Sequence, residues 1–144
     1  MIKFYSLKSE HGYMSNFYPS KIFVFGRWWN NVEAPYQAAK TNDPDEYYSI
    51  WIAKTARDAR TLGQKVKMRS DWDQVKYDVM KECVLAKFTQ NCDLREQLLA
   101  TGNEELIEDS PIDRYWGCGA DGTGQNNLGK VLMEIRALLR GSNG

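Results

Sequence analysis

The sequence predicts an α+β fold, predominantly helical, with a small N-terminal strand and hairpin region. Two patterns carry this. An aromatic stretch broken by a single glycine, Phe23-Val24-Phe25-Gly26-Arg27-Trp28-Trp29, reads as a β-hairpin. Beyond it, helix-start signals and 3.6-residue apolar periodicity recur almost to the C-terminus. At 144 residues, with 42% hydrophobic and 12% aromatic residues, the chain is one domain's worth, read as 1–144. It is long enough to bury a core and too apolar to be disordered.

Residues 2–6 read as a short strand and 12–19 as a loop carrying the exposed-looking string Met14-Ser15-Asn16-Phe17-Tyr18. Residues 22–25 and 27–29 pair around Gly26. Pro35 fits the first turn of a helix reaching about Thr41, because a proline there lacks only a donor that would be orphaned anyway. Its start has two registers. With Asn30 as cap, Glu33 takes the third position of a capping box. With Ala34 as cap, favoured by the restriction Pro35 places on it, Glu33 lies just outside. Gln37 and Lys40 fall within the helix in both. Asp43-Pro44-Asp45-Glu46 opens the next helix, with a cap, a first-turn proline and acids for the dipole. Thr55 starts a third, ended by Gly63. Asp71 with Gln74 opens a long helix to about Thr89, whose stripe is Trp72, Val75, Val79, Cys83 and Ala86, widened by Met80 and Val84. Residues 94–100 form a short helix stopped near Gly102. The last helix runs from about Asn127 to Leu139 on an apolar face of Leu128, Val131, Leu132, Ile135, Leu138 and Leu139.

Composition excludes some classes of function. Lys+Arg and Asp+Glu balance at 19 each, against coating nucleic acid or a membrane by bulk attraction. Recognition of one extruded base remains compatible. Cys83, Cys92 and Cys118 are odd in number and contain no CxxC, and His11 is the only histidine. Neither a zinc site nor a disulfide framework is expected, and the pattern suits a reducing compartment. Met1 leads into Ile2-Lys3-Phe4-Tyr5 with no leader pattern, and no apolar run approaches membrane-spanning length, so a cytoplasmic location is expected. Six bases (Lys54, Arg57, Arg60, Lys65, Lys67, Arg69) against Asp58 fill residues 54–69, a stretch that could hold phosphate but reads first as a solvated face. Five acids and no base fill 104–113.

Two segments carry chemistry. In Glu33-Ala34-Pro35-Tyr36-Gln37-Ala38-Ala39-Lys40, a carboxylate, an amide and an amine recur at spacings of four and three, which stack on one helix face. Such a pair is commonly a solvated charged face. Beside aromatic residues it is also a setting for an amine nucleophile, since desolvation frees the amine and a carboxylate can move its protons. The second segment, 113–130, holds four glycines within 117–124 and runs into a helix N-terminus. Its backbone amides can approach an anion, and Trp116 can stack on a base. It matches neither a Walker A loop nor a dinucleotide fingerprint.

Taken together, Ser15-Asn16-Phe17, Glu33-x-x-Tyr36-Gln37-x-x-Lys40, Ala59-Arg60-x-x-Gly63, Asp71-Trp72, Lys87-Phe88, Leu98-Leu99-Ala100-Thr101, Asp113-x-x-Trp116-Gly117-x-Gly119 and Gly124-x-Asn126-x-Leu128-Gly129-x-x-Leu132-Met133-x-x-Arg136 resemble the NADAR family, and within it the bacterial N-glycosidases of riboflavin intermediates. The resemblance implies hydrolysis of an N-glycosidic bond without cofactor or metal, Lys40 attacking the anomeric carbon as a Schiff base and Glu33 moving protons. It implies substrate contacts from Asn16, Phe17, Tyr36, Gln37, Arg60, Asp113, Trp116, Gly117, Gly119 and Asn126. The implied partner is a small nucleotide, such as a phosphoribosylamino-pyrimidine, or ADP-ribosylated guanine, free or within nucleic acid. The competing reading is a non-catalytic module that binds ADP-ribose or an NAD derivative. Two positions depart from the family's usual pattern: Pro35, where a bulkier non-proline residue is common, and Gln64, where arginine is common.

Overall fold

A computed structural model describes residues 1–142. The elements are β1 (Ile2–Phe4), a 3-10 turn (Gly12–Met14), β2 (Ile22–Val24), β3 (Arg27–Trp29), α1 (Glu33–Ala38), α2 (Pro44–Trp51), α3 (Ala56–Gly63), α4 (Trp72–Gln90), α5 (Cys92–Ala100), β4 (Leu106–Glu108) and α6 (Asn127–Ser142). The fold is α+β and mostly helical. β2 and β3 pair antiparallel, with Val24 opposite Arg27. Phe25 and Gly26 take φ of 55° and 74°, the left-handed pair of a tight hairpin turn. That is why β2 ends at Val24 and not at Phe25.

β4 is absent from the sequence reading. Its three residues lie inside the acidic run, and its partner is β1, parallel, with Phe4 opposite Glu108. So short a strand has no readable period, and its pairing spans a hundred residues of chain. The pairing brings Phe4 beside Glu108 and the N-terminal amine beside Glu104.

The caps of α2 and α3 follow the sequence. Asp43 accepts from the amides of Asp45 (2.8 Å) and Glu46 (3.4 Å), and Thr55 accepts from Asp58 at 3.0 Å. Asp71 caps nothing, because Arg69 takes both of its oxygens at 2.6 and 2.9 Å. α5 begins two residues earlier than expected, and α6 runs on to Ser142. Leu138, expected on the apolar face, is half exposed, while Leu128, Val131, Leu132, Ile135 and Leu139 are buried. They meet Phe4, Met80, Phe88, Leu98 and Leu106 in one core. No described helix is long and apolar enough to cross a membrane.

The 12–18 loop is far from exposed. Tyr13 and Met14 are buried and Ser15 to Tyr18 partly so. What holds it is Lys87, a residue of α4 with 1% exposure. Its Nζ donates to the carbonyl of Ser15 at 3.0 Å and to that of Tyr13. Burial pushes its pKa down to about 7. Lys87→Met should keep the bulk and leave the Tyr13 carbonyl without its lysine donor, costing about 1–3 kcal/mol, while the Ser15 carbonyl still accepts from the amide of Tyr18 at 3.1 Å. Urea denaturation checks this.

Candidate active site

The start of α1 is fixed from two sides. Asn31 Oδ1 accepts the amide of Ala34 at 2.9 Å, so the capping side chain is neither Asn30 nor Ala34. The carbonyl of Asn16 accepts the amides of Val32 and Glu33, both at 3.2 Å. Glu33 is thus the first residue of α1, where the helix dipole favours a carboxylate, and it is only 3% exposed. One turn on, Gln37 Nε2 donates to Glu33 Oε1 at 2.7 Å. Arg60, from α3, brings its Nε to 3.4 Å from the same oxygen and lays its guanidinium 5.1 Å from the centre of the Phe17 ring. Burial raises the pKa of Glu33. Arg60, Gln37 and Lys40 oppose the rise and Asp113 adds to it.

Lys40 lies beyond the helix. α1 closes at Ala38, and the amides of Lys40 and Thr41 bond back to Gln37 and Ala38 at 3.2 and 3.3 Å, a tightened last turn. The carbonyl of Lys40 is tied to the amide of Arg69 at 2.7 Å. Its Nζ stands 5.9 Å from the centre of the Tyr36 ring. Burial lowers the Lys40 pKa. Glu33 opposes this, while Arg60 and Lys76 add to it.

Gly63 does more than end α3. A Cβ there would lie 2.0 Å from Gln37 Oε1, so only glycine leaves room for the amide that holds Glu33. Gly63→Ala should therefore displace Gln37 and cut activity while α3 stays helical. A crystal structure of the variant with Gln37 still bonded to Glu33 would contradict this.

The opposite wall comes from β4 and the segment after it. Asp113 Oδ1 accepts the amides of Tyr115 and Trp116 at 2.9 and 2.7 Å, a side-chain turn that sets the indole. Trp116 Nε1 donates to the Tyr36 hydroxyl at 3.0 Å, and its ring packs between Tyr36, Tyr77 and Tyr115. Between the walls lies a cavity of about 660 Å³, the size of a nucleotide-scale ligand site.

Nine of the residues singled out in the sequence line this cavity: Lys40, Glu33, Asn16, Phe17, Tyr36, Gln37, Arg60, Asp113 and Trp116. Three do not. Asn126 sits behind the wall with φ of 53°. There it accepts from the amide of Glu108 and donates to the carbonyl of Leu106, both at 2.9 Å. Gly117 makes room for the Glu108 carboxylate, since a Cβ would come within 2.3 Å of Oε2. Gly119, at φ 73°, turns the chain beside Arg114. Of the basic run, Lys54, Arg57, Lys65 and Lys67 lie outside the cavity lining, while Arg60 turns into it. Gln64, one of the two departures, also lines it.

Sequence reasoning missed Glu108, Ser110 and Lys76 on the wall. Glu108 was hidden in the acidic run, and only the unseen β4 strand turns its side chain inward. Lys76 Nζ stands 4.0 Å from the centre of the Tyr115 ring and 3.4 Å from Asp73. Asn16 donates Nδ2 to Met80 Sδ at 3.3 Å, and its Oδ1 is buried without a partner. An unpaired acceptor in a cavity wall is free for a ligand donor such as a sugar hydroxyl. Among the described residues no group of three or more His, Cys, Asp or Glu side chains is placed to hold a metal ion.

The profile of the NADAR domain matches residues 3–140. An N-glycosidase of Nostoc punctiforme is 43% identical, over 96% of this chain and 92% of that protein. A riboflavin biosynthesis protein of Vibrio vulnificus is 41% identical over 96% of this chain, which spans only 38% of that longer protein. The NMR structure of the Escherichia coli protein YbiA superposes with a TM-score of 0.92 at 37% identity, covering 99% of this chain and 86% of that one. With the match running over nearly every element that builds the cavity, the chain belongs to the NADAR domain family.

Proposed function

We propose that the protein is an N-glycosidase that hydrolyses the bond between a ribosyl carbon and a nitrogen base, with Lys40 as nucleophile. The observation that carries this is the Lys40 amine. It is half-buried and lowered in pKa, and it lines a nucleotide-sized cavity without a hydrogen bond or ion pair among the described residues.

Breaking a ribosyl C–N bond needs a nucleophile at the anomeric carbon and a proton for the leaving nitrogen. Retaining two-carboxylate glycosidases use a carboxylate as nucleophile. Here a neutral amine attacks C1′, the base departs, and the ring opens to a protonated imine on Lys40 that water hydrolyses. Glu33, held by Gln37 and Arg60, accepts the Lys40 proton before attack. Phe17 and Trp116 flank the base. The free Oδ1 of Asn16 accepts from a sugar hydroxyl. Arg60 and Lys76 line the cavity as cations for a substrate phosphate.

The substrate favoured is a small phosphoribosylamino-pyrimidine. A relative carrying this domain as part of a longer chain is named a riboflavin biosynthesis protein, and the balanced charge gives no basic track for a nucleic acid backbone. The test is side-by-side incubation with a phosphoribosylamino-pyrimidine and with ADP-ribosylated guanine, followed by chromatography for free base and free sugar. Faster release from the pyrimidine is expected. Faster release from guanine reverses the substrate assignment, and binding without release from either supports a non-catalytic module.

A further inference from the structure

We infer that Glu108 is the proton donor to the departing base, a catalytic group separate from Glu33. The inference rests on the N-glycosidase reading above and divides the two carboxyls of the cavity by their surroundings.

Glu33 is the poorer donor of the two. Its Oε1 is already engaged by Gln37 at 2.7 Å and Arg60 at 3.4 Å, and both partners oppose the rise in pKa that burial causes. Glu108 also lines the cavity, yet its Oε2 is buried with no hydrogen-bond partner. A buried carboxyl oxygen without a partner is costly unless a ligand completes it.

The backbone around Glu108 is built to hold it there. Its amide donates to Asn126 Oδ1 at 2.9 Å, and its carbonyl accepts from the amide of Cys118 at 2.9 Å. The missing Cβ of Gly117 leaves the space that Oε2 fills. Three positions thus serve one carboxyl: β4 presents it, Asn126 fixes its backbone, and Gly117 makes room.

The charged groups that face Glu108 agree with the role. They are Asp113 from the segment after β4, Arg60 from α3 and Glu33 from α1. Burial and the Asp113 carboxylate push its pKa up to about 7. The amide of Ser110 and then Arg60 oppose the rise, and Glu33 adds to it. A carboxyl poised there holds its proton near neutrality and can give it up.

The step balances. Nζ–C1′ forms as C1′–N breaks; the electron pair leaves with the nitrogen, the Glu108 proton moves to that nitrogen, and a carboxylate remains. C1′–O4′ then breaks as one Nζ proton passes to O4′, which leaves the protonated imine. Water then adds through oxygen to the carbon of the Lys40 imine and gives one proton to Glu108, which restores the acid. The resulting carbinolamine collapses, its hydroxyl proton passing to Nζ as the C1′–Nζ bond breaks. The products are free base, free sugar and the neutral Lys40 amine.

The test uses the full chain and either substrate that the wild type turns over. Glu108→Gln should lower kcat/KM for base release by about a hundredfold or more. The wild-type profile should fall as pH rises through about 7, and that limb should vanish in the variant. Glu108→Ala should regain rate on addition of formate, which enters the space of the lost carboxyl, while Glu33→Gln should not. Near-normal Glu108→Gln turnover with an unchanged pH limb overturns the assignment and leaves the N-glycosidase reading standing. Absence of base release by the wild type overturns both. If Glu108→Gln fails to fold, the wild-type profile and the formate response decide alone, and an alkaline limb absent near 7 with no formate response counts against Glu108.

Discussion

Lys40→Ala is expected to lower base release by roughly a thousandfold or more, the scale seen when a covalent nucleophile is removed, while the protein stays folded. The reason lies in what Lys40 does not do. Its Nζ makes no hydrogen bond or ion pair among the described residues; its contact is the Tyr36 ring at 5.9 Å. Its backbone bonds to Gln37 and Arg69 survive truncation. Burial lowers its pKa, so below the ordinary lysine pKa the unfolded chain is the better proton acceptor, and the amine costs the native state stability at neutral pH. Alanine removes that cost along with some stem packing, so the net change should stay within about 1 kcal/mol. Lys40→Arg should also be inactive, since guanidinium keeps the charge and is never a free amine near neutrality. A loss of activity with parallel loss of the folded state would point to structure instead of chemistry.

Glu33→Gln should separate activity from stability in opposite directions. Capping belongs to Asn31, so the substitution removes no cap. The introduced amide oxygen could still accept from Gln37 Nε2, and Arg60, itself half exposed, would lose little. Base release should fall by about a hundredfold or more as the proton acceptor for Lys40 disappears. Stability should hold or rise. Burial raises the pKa of Glu33, so as pH climbs the unfolded chain ionises first. The native state loses stability from the ordinary glutamate range up to the raised pKa, and the deficit is constant above it. The melting temperature of Glu33→Gln relative to wild type should therefore increase as pH is raised from about 4 toward neutrality. A destabilised variant with normal activity per folded molecule would return Glu33 to a structural role.

Much of this site is legible in the sequence because it is local. The Glu33, Gln37 and Lys40 spacing lies within one short helix and the turn after it, so helical geometry alone brings Gln37 to Glu33. Asp43 and Thr55 act as written, since a cap needs only its own next three residues. The errors fall where distance along the chain decides. Glu108 becomes a cavity residue only because β4 pairs with β1, a contact that three residues of Leu-Ile-Glu cannot announce. Lys87 enters the sequence reading only within the Lys87-Phe88 string, and its hold on the carbonyls of Tyr13 and Ser15 lies 74 and 72 residues away along the chain. Gly117 and Gly63 suggest turns and close ligand approach, yet each makes room for a neighbouring side chain, Glu108 and Gln37 respectively. A missing Cβ states that something is close without saying what.

Trapping of the intermediate tests the central claim most directly. Borohydride added during turnover should reduce the imine to a stable secondary amine. Mass spectrometry of the digested protein should then find one sugar adduct, on Lys40, in wild type and none in Lys40→Ala. Wild-type turnover that proceeds under borohydride with no adduct, or an adduct on another lysine such as Lys76, would contradict the account.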